Sequence, residues 1–173
     1  MINKPSLVIH EKLKFLITDA PARENAEEYA MQLARVGVKN LVRTCEGNYD
    51  EWVFEREGIK IHVISKQDLY FQDGTVPSRS KISMWLGLIK ETFIENCSGT
   101  SEREYIAVHC LSGLGRAPVL VGIALIEYGV DSHNAISTIR KNRPGALNSH
   151  QVKLLLNYRR TKAFNQASCC VIY

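Results

Sequence analysis

A cysteine and an arginine six positions apart carry the chemistry that this sequence suggests. Cys110 follows the apolar, β-prone stretch 105–108, and Arg116 precedes the long apolar stretch 117–126. The first stretch predicts a buried strand and the second a buried helix, with Pro118 in its first turn, where a missing N–H is tolerated. The cysteine therefore ends a strand, and the arginine begins a helix.

A strand, a short loop and a helix in this order favour a site that binds an anion. The loop presents backbone N–H groups at a helix N-terminus, where the helix dipole adds positive potential. The same potential favours the thiolate of Cys110, the nucleophilic form, and Arg116 can donate two hydrogen bonds to phosphate oxygens. The alternative is a buried, unreactive cysteine beside a surface arginine. We predict that the loop binds a phosphate-sized anion through Leu111, Ser112, Gly113, Leu114, Gly115 and Arg116.

Composition limits the classes of protein that need to be considered. The 173 residues, 45% hydrophobic and 23% charged, predict one globular domain at 7–162, after a loose N-terminus at 1–6 and before a flexible tail at 163–173. A net charge of +4 is compatible with an anionic substrate or an acidic membrane surface. We find no signal peptide, no apolar stretch of membrane-spanning length and no basic run with interleaved aromatics, so we expect an intracellular protein that does not bind nucleic acid.

The five cysteines match no zinc-binding pattern and no disulfide framework. In a reducing compartment they are expected to be free thiols, and any disulfide would be regulatory. The sequence therefore predicts neither a metal site nor a disulfide-stabilised scaffold. The cysteines are Cys45, Cys97, Cys110, Cys169 and Cys170.

Strand and helix patterns alternate along the chain, which predicts an α/β fold with a mostly parallel sheet covered by helices on both faces. Because ligands bind beyond the carboxyl ends of such strands, Cys45 and Asp73 are expected near Cys110. Strands are predicted at 7–10, 13–18, 38–44, 59–64 and 105–108. Helices are predicted from about 19 to 36, 49 to 57, 78 to 96, 116 to 128, 132 to 142 and 149 to 162, the last with an Asn148–Gln151 capping box.

The sequence from His109 to Arg116 resembles the signature loop of cysteine-dependent protein tyrosine phosphatases of the dual-specificity branch. Further segments resemble the PRL family, the phosphatases of regenerating liver, also called protein tyrosine phosphatase type IVA. The resemblance covers nearly the whole chain and implies a protein tyrosine phosphatase-like fold. It is carried by residues 15–18, 42–46, 57–59, 71–74, 113–121, 124–127 and 169–173.

The resemblance also implies a role for each catalytic residue. Cys110 attacks phosphorus to give a phosphocysteine, Arg116 holds the phosphoryl oxygens, and Asp73 protonates the leaving oxygen and then activates water. No metal or cofactor is needed, because Arg116 and the loop N–H groups neutralise the charge. The alternative for Asp73 is an ordinary residue of an Asp-Gly turn. Leu111 and Leu114 leave the loop without lysines, which favours phosphoproteins over phosphoinositides as substrates.

Two departures from the wider phosphatase pattern bear on rate. Most tyrosine phosphatases have Ser or Thr directly after the arginine, whereas this chain has Ala117, as the PRL family does. We therefore expect slow breakdown of the phosphoenzyme. The acid loop, residues 69–74, lacks the Trp-Pro and the first Asp of the family's usual sequence. Closure of this loop over the pocket is the step that the second departure would affect.

The resemblance further implies that Cys45 forms a redox disulfide with Cys110; the alternative is a small buried residue at a strand end. Cys97 is expected to be a bystander.

The last four residues, from Cys170 to Tyr173, fit the C-a-a-X prenylation pattern, and Cys169 is an alternative site of lipidation. Prenylation predicts the cytoplasmic face of the plasma membrane or endosomes. An unmodified tail, the alternative, predicts a cytoplasmic protein.

Two functions of different class follow from these residues. The first is a slow phosphatase that acts on phosphotyrosine, and on phosphoserine or phosphothreonine, in proteins. The alternative is a membrane-tethered binding module or pseudophosphatase that regulates a cyclin M-type magnesium transporter through the same pocket. Sulfur or arsenate chemistry at the Cys110–Arg116 loop is a third possibility, against which the Asp73 loop argues. The sequence leaves a homo-oligomer open.

Overall fold

The fold is built on one five-stranded sheet with the strand order β1-β2-β5-β3-β4. The structure is a computed structural model that describes residues 4–62, 71–95 and 104–164. Strands β1 and β2 form an antiparallel hairpin, and all the other neighbours are parallel. The predicted mostly parallel sheet is therefore confirmed. The strands are β1 (Ser6–His10), β2 (Leu13–Thr18), β3 (Val38–Arg43), β4 (Lys60–His62) and β5 (Tyr105–His109).

Helices cover both faces of the sheet, as predicted. A 3₁₀ turn (Arg23–Asn25) precedes α1, and a π-helical segment (Lys90–Glu95) continues α3. No helix of the described ranges is long and apolar enough to cross a membrane. The α-helices are α1 (Ala26–Val36), α2 (Trp52–Arg56), α3 (Arg79–Ile89), α4 (Arg116–Tyr128), α5 (Ser132–Asn142) and α6 (Ser149–Asn157).

The two faces have separate cores because successive side chains of a strand point to opposite sides. Leu16 and Ala107 pack with residues of α1 and α2 on one face. Their neighbours Phe15, Ile17 and Val108 pack with residues of α3 to α6 on the other face. The larger core surrounds α4, whose residues from 116 to 127 are all buried. This burial fixes the start of α4, and with it Arg116, against the end of β5.

Four helices differ from the sequence prediction. The first begins at Ala26 rather than near residue 19, because Ala20 donates its N–H to the carbonyl of Leu111 in the loop after Cys110 and a 3₁₀ turn follows. The second spans Trp52–Arg56 rather than 49–57.

The helix predicted to end at residue 96 is α-helical only to Ile89, and the π-helical segment follows; Asn96 lies outside the described residues. Helix α6 ends at Asn157 rather than near residue 162. The buried Glu127 of α4 explains this end, because its carboxylate accepts hydrogen bonds from the backbone N–H groups of Thr161 at 2.9 Å and Ala163 at 2.8 Å. These bonds hold the segment after α6 in a non-helical path.

The predicted cap of the last helix is confirmed. Asn148 Oδ1 accepts from the backbone N–H of Gln151 at 2.9 Å, and Gln151 Oε1 accepts from the backbone N–H of Asn148 at 3.1 Å. The two side chains satisfy two N–H groups that a helix start otherwise leaves without a partner. Both residues also contact the acid loop, which gives this cap a second role.

Candidate active site

Cys110 lies between the last residue of β5 and the start of α4, as the sequence predicted. Strand β5 ends at His109, and α4 begins at Arg116. The side chain of Cys110 is only 1% exposed, and it lies within the large core under the loop 111–115. The loop therefore covers the thiol, and the space that the loop surrounds is the expected site for a reacting group.

The backbone carbonyls of residues 111–114 all accept hydrogen bonds from outside the loop. Because the N–H and C=O groups of a planar peptide point in opposite directions, the N–H groups of the loop turn towards the concavity in front of Cys110. This is the arrangement that an anion-binding loop needs. The bonds run from Ala20 N to Leu111 O at 3.0 Å, from Arg143 Nη2 to Ser112 O at 2.9 Å, from Arg143 Nε to Gly113 O at 2.7 Å, and from Leu147 N to Leu114 O at 2.8 Å.

Arg143 is a site residue that the sequence analysis missed. Its guanidinium is buried under the loop and also donates to the carbonyl of Lys4 at 3.2 Å and to Ser6 Oγ at 3.3 Å. Burial lowers the pKa of Arg143, and the nearby Asp19 opposes that effect. The local signal around residue 143 was a helix end, and nothing in it pointed to a contact 30 positions away.

Arg143 also explains why residue 113 is a glycine. Gly113 has a φ of +69°, and a Cβ there would lie 2.5 Å from Arg143 Nη2 and from the carbonyl oxygen of Thr18. Any side chain at residue 113 would therefore be strained and would push Arg143 out of its position.

The structure brings Asp73 to Arg116, as the predicted topology required. Arg116 Nε lies 3.4 Å from Asp73 Oδ1, and Arg116 Nη1 donates to the carbonyls of Thr44 at 3.2 Å and Phe71 at 3.5 Å. Arg116 is buried, whereas the Asp73 side chain is 71% exposed. The carboxyl group thus stands at the mouth of the pocket, where a leaving oxygen would depart.

The acid loop is attached to the start of α6. Asn148 Nδ2 donates to the carbonyl of Gly74 at 3.1 Å, and Gln151 Nε2 donates to the carbonyl of Thr75 at 3.3 Å. Asp73 precedes these two residues directly, so the capping box restricts where its carboxyl group can move. Leu69 and Tyr70, which stand where the family has Trp-Pro, lie outside the described residues.

A short bridge segment, residues 147–151, contacts both loops of the site. Its first residue, Leu147, donates its N–H to the carbonyl of Leu114 in the catalytic loop. Asn148 and Gln151 hold the acid loop. Leu147 is buried and has a φ of +68°, a conformation that costs free energy for any residue with a side chain. The bridge segment therefore fixes the position of Asp73 relative to the phosphate-binding loop.

His109 lies buried behind the catalytic cysteine. Burial lowers the pKa of His109 to about 3, so the imidazole is neutral at physiological pH. Its Nε2 is 2.6 Å from the hydroxyl of Tyr49, and burial raises the pKa of Tyr49, which keeps that hydroxyl protonated. We infer that Tyr49 donates to Nε2 and that the Nδ1 hydrogen points to the carbonyl of Cys110, 3.4 Å away.

Cys45 lies at the same edge of the sheet as Cys110. Its Sγ is 3.9 Å from His109 Nδ1, and both cysteines are buried free thiols. Burial raises the pKa of Cys45 to about 11; Arg116 opposes this effect and the charge of Cys110 adds to it. Cys45 is therefore a protonated thiol at neutral pH. Cys97, Cys169 and Cys170 lie outside the described residues.

Comparison with known proteins identifies the family. Protein tyrosine phosphatase type IVA 2 of Mus musculus is 41% identical over 160 residues, which are 91% of this chain and 90% of the relative. The PRL-1 phosphatase of Drosophila melanogaster is 38% identical over 155 residues, 90% of this chain and 82% of the relative. The chain belongs to the PRL family. No protein-family model matches the sequence.

Solved structures of phosphatases share this fold. A protein tyrosine phosphatase from Leishmania major superposes with a TM-score of 0.80 and 34% identity, over 91% of this chain and 100% of that chain. The kinase associated phosphatase superposes with a TM-score of 0.67 over 88% of this chain and 91% of that chain. At 14% identity the second likeness shows the fold alone. The predicted phosphatase-like fold is confirmed.

Two leucines of the catalytic loop are exposed. Leu111 is 67% exposed and Leu114 is 38% exposed, so both project from the loop instead of packing in the core. They therefore add exposed apolar surface to the loop that follows Cys110. Ala117, directly after Arg116, is fully buried and offers no hydroxyl group to the site. The sequence indicated both features, and the structure adds their exposure.

The low pKa of His109 predicts that the protein loses stability in mild acid. The native pKa of about 3 lies below the unfolded value of 6.5, so the unfolded state binds the extra proton between these values. The free energy of unfolding should therefore fall as the pH drops below 6.5, by up to about 1.4 kcal/mol per pH unit. Urea unfolding of the wild type and of His109→Gln, at pH 6.5 and about pH 5, measures this slope.

The His109→Gln variant should show a shallower slope than the wild type. Burial also lowers the pKa of His62, and this histidine contributes equally to the pH slope of both proteins. The exposed His133→Gln variant serves as the control and should keep the wild-type slope. Equal slopes for the wild type and His109→Gln would contradict the assignment of the proton to His109.

Asn148→Ala should weaken general acid catalysis specifically. Without its hydrogen bond to the carbonyl of Gly74, the acid loop loses a constraint and Asp73 is less well placed. We expect kcat/KM for phenyl phosphate, which needs a proton on its leaving oxygen, to fall about tenfold. The leaving group of 2,4-dinitrophenyl phosphate departs without a proton, so kcat/KM for this substrate should change less than about twofold.

The matched control is Asp131→Ala, which removes the cap of α5 and has no bond to the acid loop. It should affect both substrates alike. An equal loss with both substrates in Asn148→Ala would mean that Asn148 only supports folding.

Proposed function

We propose that this chain is a protein tyrosine phosphatase that hydrolyses phosphotyrosine, and phosphoserine or phosphothreonine, in proteins through a phosphocysteine. One arrangement carries the proposal. Cys110 lies buried under a loop whose carbonyls accept hydrogen bonds from outside the loop. Beside this loop, Arg116 Nε and Asp73 Oδ1 lie 3.4 Å apart. The names of the PRL relatives support the same activity.

The first half-reaction transfers the phosphoryl group to sulfur. The thiolate of Cys110 attacks phosphorus, the S–P bond forms, and the P–O bond to the substrate breaks. Asp73 donates its proton to the leaving oxygen, while Arg116 and the loop N–H groups stabilise the negative charge of the phosphoryl oxygens. The phosphoryl oxygens replace the Asp73 carboxylate at Arg116 when the substrate binds, which leaves Asp73 free to carry the proton that it donates.

The second half-reaction returns the cysteine to its starting form. Water attacks the phosphorus, Asp73 now takes its proton, and the S–P bond breaks to release phosphate and the thiolate. Tyrosine phosphatases with Ser or Thr after the arginine stabilise this thiolate with a hydroxyl group. Ala117 cannot donate a hydrogen bond to the leaving sulfur, so we propose that this step limits turnover.

A rapid-mixing assay with an aryl phosphate tests this order of steps. The wild type should release about one equivalent of phenol per Cys110 in a burst, followed by slow turnover. Ala117→Ser should raise the steady rate about tenfold, because a hydrogen bond to the departing thiolate is restored. Cys110→Ser, the control, should show neither phase. A wild type without a burst would contradict slow breakdown of the phosphoenzyme.

We further propose that Cys45 protects Cys110 by forming a disulfide after oxidation by hydrogen peroxide. The thiolate of Cys110 reduces the peroxide and becomes a sulfenic acid, and hydroxide leaves. The Cys45 thiol then loses its proton, and its thiolate attacks the Cys110 sulfur to form the S–S bond; the S–O bond breaks, and the hydroxide that leaves takes up a proton to become water. The proximity of Cys45 to His109 and the influence of Cys110 on its pKa support this pairing.

The raised pKa of Cys45 sets the pH dependence of the disulfide. Because only the Cys45 thiolate attacks and its pKa is about 11, closure should accelerate about tenfold per pH unit between about pH 7 and pH 10. Quenched-flow trapping followed by mass spectrometry measures the rate. Cys45→Ser should instead accumulate sulfenic and sulfinic acid at Cys110. A closure rate independent of pH would contradict this assignment of the attacking thiol.

We also propose a tether of the chain to the cytoplasmic face of a membrane through a prenyl group on Cys170, or through a lipid on Cys169. The C-a-a-X pattern and the basic residues Arg159, Arg160 and Lys162 support this proposal. A cyclin M-type magnesium transporter as partner, and self-association of the chain, remain proposals that rest on the family resemblance.

A further inference from the structure

A groove of about 910 Å³ lies between α3 and α6, outside the catalytic pocket. Its apolar part includes Pro77, Ile82 and Leu86, which are buried, and Leu154, which is half-buried. This volume is near the upper end of the range for small-ligand sites. The groove therefore has room for the side chains of an extended peptide segment.

The rim of the groove is basic. Among the described residues that line it, five carry basic side chains and none is Asp or Glu. Lys90 pairs with Glu95 at 2.9 Å, whereas Arg79, Lys153 and Arg159 have no carboxylate within 4 Å in the described ranges. The five are Arg79, Lys90, His150, Lys153 and Arg159. An apolar floor between basic walls favours a partner that is both apolar and acidic.

The groove begins beside the acid loop. Val76 and Pro77, three and four positions after Asp73, are among its lining residues. His150 of α6 lines it too, and its neighbour Gln151 holds the carbonyl of Thr75. A peptide whose phosphate lies in front of Cys110 can therefore continue past Asp73 into the groove. At about 3.3 Å per extended residue, four to six residues would span about 13 to 20 Å.

We propose that the α3–α6 groove binds the segment of a phosphoprotein next to its phosphorylated residue, and that this segment combines acidic and apolar side chains. The inference rests on the proposed function, to which it adds a substrate class. The chain's own tail is the competing occupant, because Ala163 lines the groove near its start. Residues 165–173 contain no Asp or Glu, so they do not match the basic rim.

Matched phosphotyrosine peptides test the groove. One carries an extension of alternating Leu and Glu, the second has Gln for Glu, and the third has Lys for Glu. Each is made with the extension before or after the phosphotyrosine. We expect kcat/KM of the full-length protein for the Glu peptide to exceed that for the Gln peptide about tenfold in one of the two directions, because two or three ion pairs each contribute a small factor.

Charge reversal on the rim then identifies where the Glu side chains bind. In Lys153→Glu the preference for the Glu peptide over the Gln peptide should disappear, and the Lys peptide should become the better substrate. Each value is taken relative to hydrolysis of an aryl phosphate by the same variant, so a general loss of activity cancels. Lys39→Glu is the control. Lys39 is exposed at the start of β3, whereas the catalytic residues lie beyond the carboxyl ends of the parallel strands. It should keep the wild-type preference.

A steric variant gives a second measurement. Ser83 is exposed on α3 and lines the groove, so Ser83→Trp should fill it and reduce the advantage of the Glu peptide without removing a buried group. Equal kcat/KM for the Glu and Gln peptides in both directions would overturn the proposal. So would an unchanged Glu preference in both Lys153→Glu and Ser83→Trp.

The competing occupant and the proposed function are tested separately. A synthetic peptide of residues 165–173 that inhibits hydrolysis of the Glu peptide, but not of an aryl phosphate, would assign the groove to the tail and overturn the proposal. If the aryl phosphate itself were not hydrolysed, the proposed function would fail. Titration of a fluorescent Glu peptide without phosphate, against the Gln form, then decides whether the groove binds acidic segments.

Discussion

The carbonyl groups of the catalytic loop are all bonded from outside, and the rest of the site depends on this constraint. Short loops with several N–H groups pointing to one place are unfavourable by themselves, because like dipoles converge and the carbonyls must be desolvated. Arg143 offsets this cost with donors to two successive carbonyls. Ala20 and Leu147 satisfy two more carbonyls from different parts of the chain. The loop is thus shaped before any anion arrives, which is the condition for electrostatic stabilisation of a transition state.

The same constraint links the loop to the acid. Leu147 bonds the catalytic loop, and the capping box that follows bonds the acid loop, so one five-residue bridge sets the separation of Cys110 from Asp73. This arrangement bears on the unusual sequence of the acid loop. Bonds to the carbonyls of Gly74 and Thr75 do not depend on side chains of the loop, so they hold the backbone directly after Asp73 through main-chain atoms alone. Backbone contacts of this kind allow the loop sequence to vary while the position of the carboxyl group is kept.

Local patterns predicted the parts of the fold that local forces determine. The strands on either side of Glu11, the strand and helix on either side of Cys110, and the Asn148–Gln151 cap all follow from residues within a few positions of each other. The gathering of Cys45, Asp73 and Cys110 followed from the rule for parallel sheets. Contacts between distant segments could not be predicted in this way. Arg143 under Gly113, Tyr49 on His109, and the carboxylate of Glu127 that ends α6 each join segments at least 30 positions apart.

Helix α4 connects the catalytic loop to the segment that follows α6. Arg116 is its first residue, and Glu127, near its last turn, fixes the backbone of Thr161 and Ala163. At 1.5 Å per residue, the eleven steps between Arg116 and Glu127 span about 17 Å. The helix is buried along this whole length and therefore acts as a rigid spacer. A change in the length of α4 would therefore move the pocket relative to the segment 161–164, from which the rest of the chain continues.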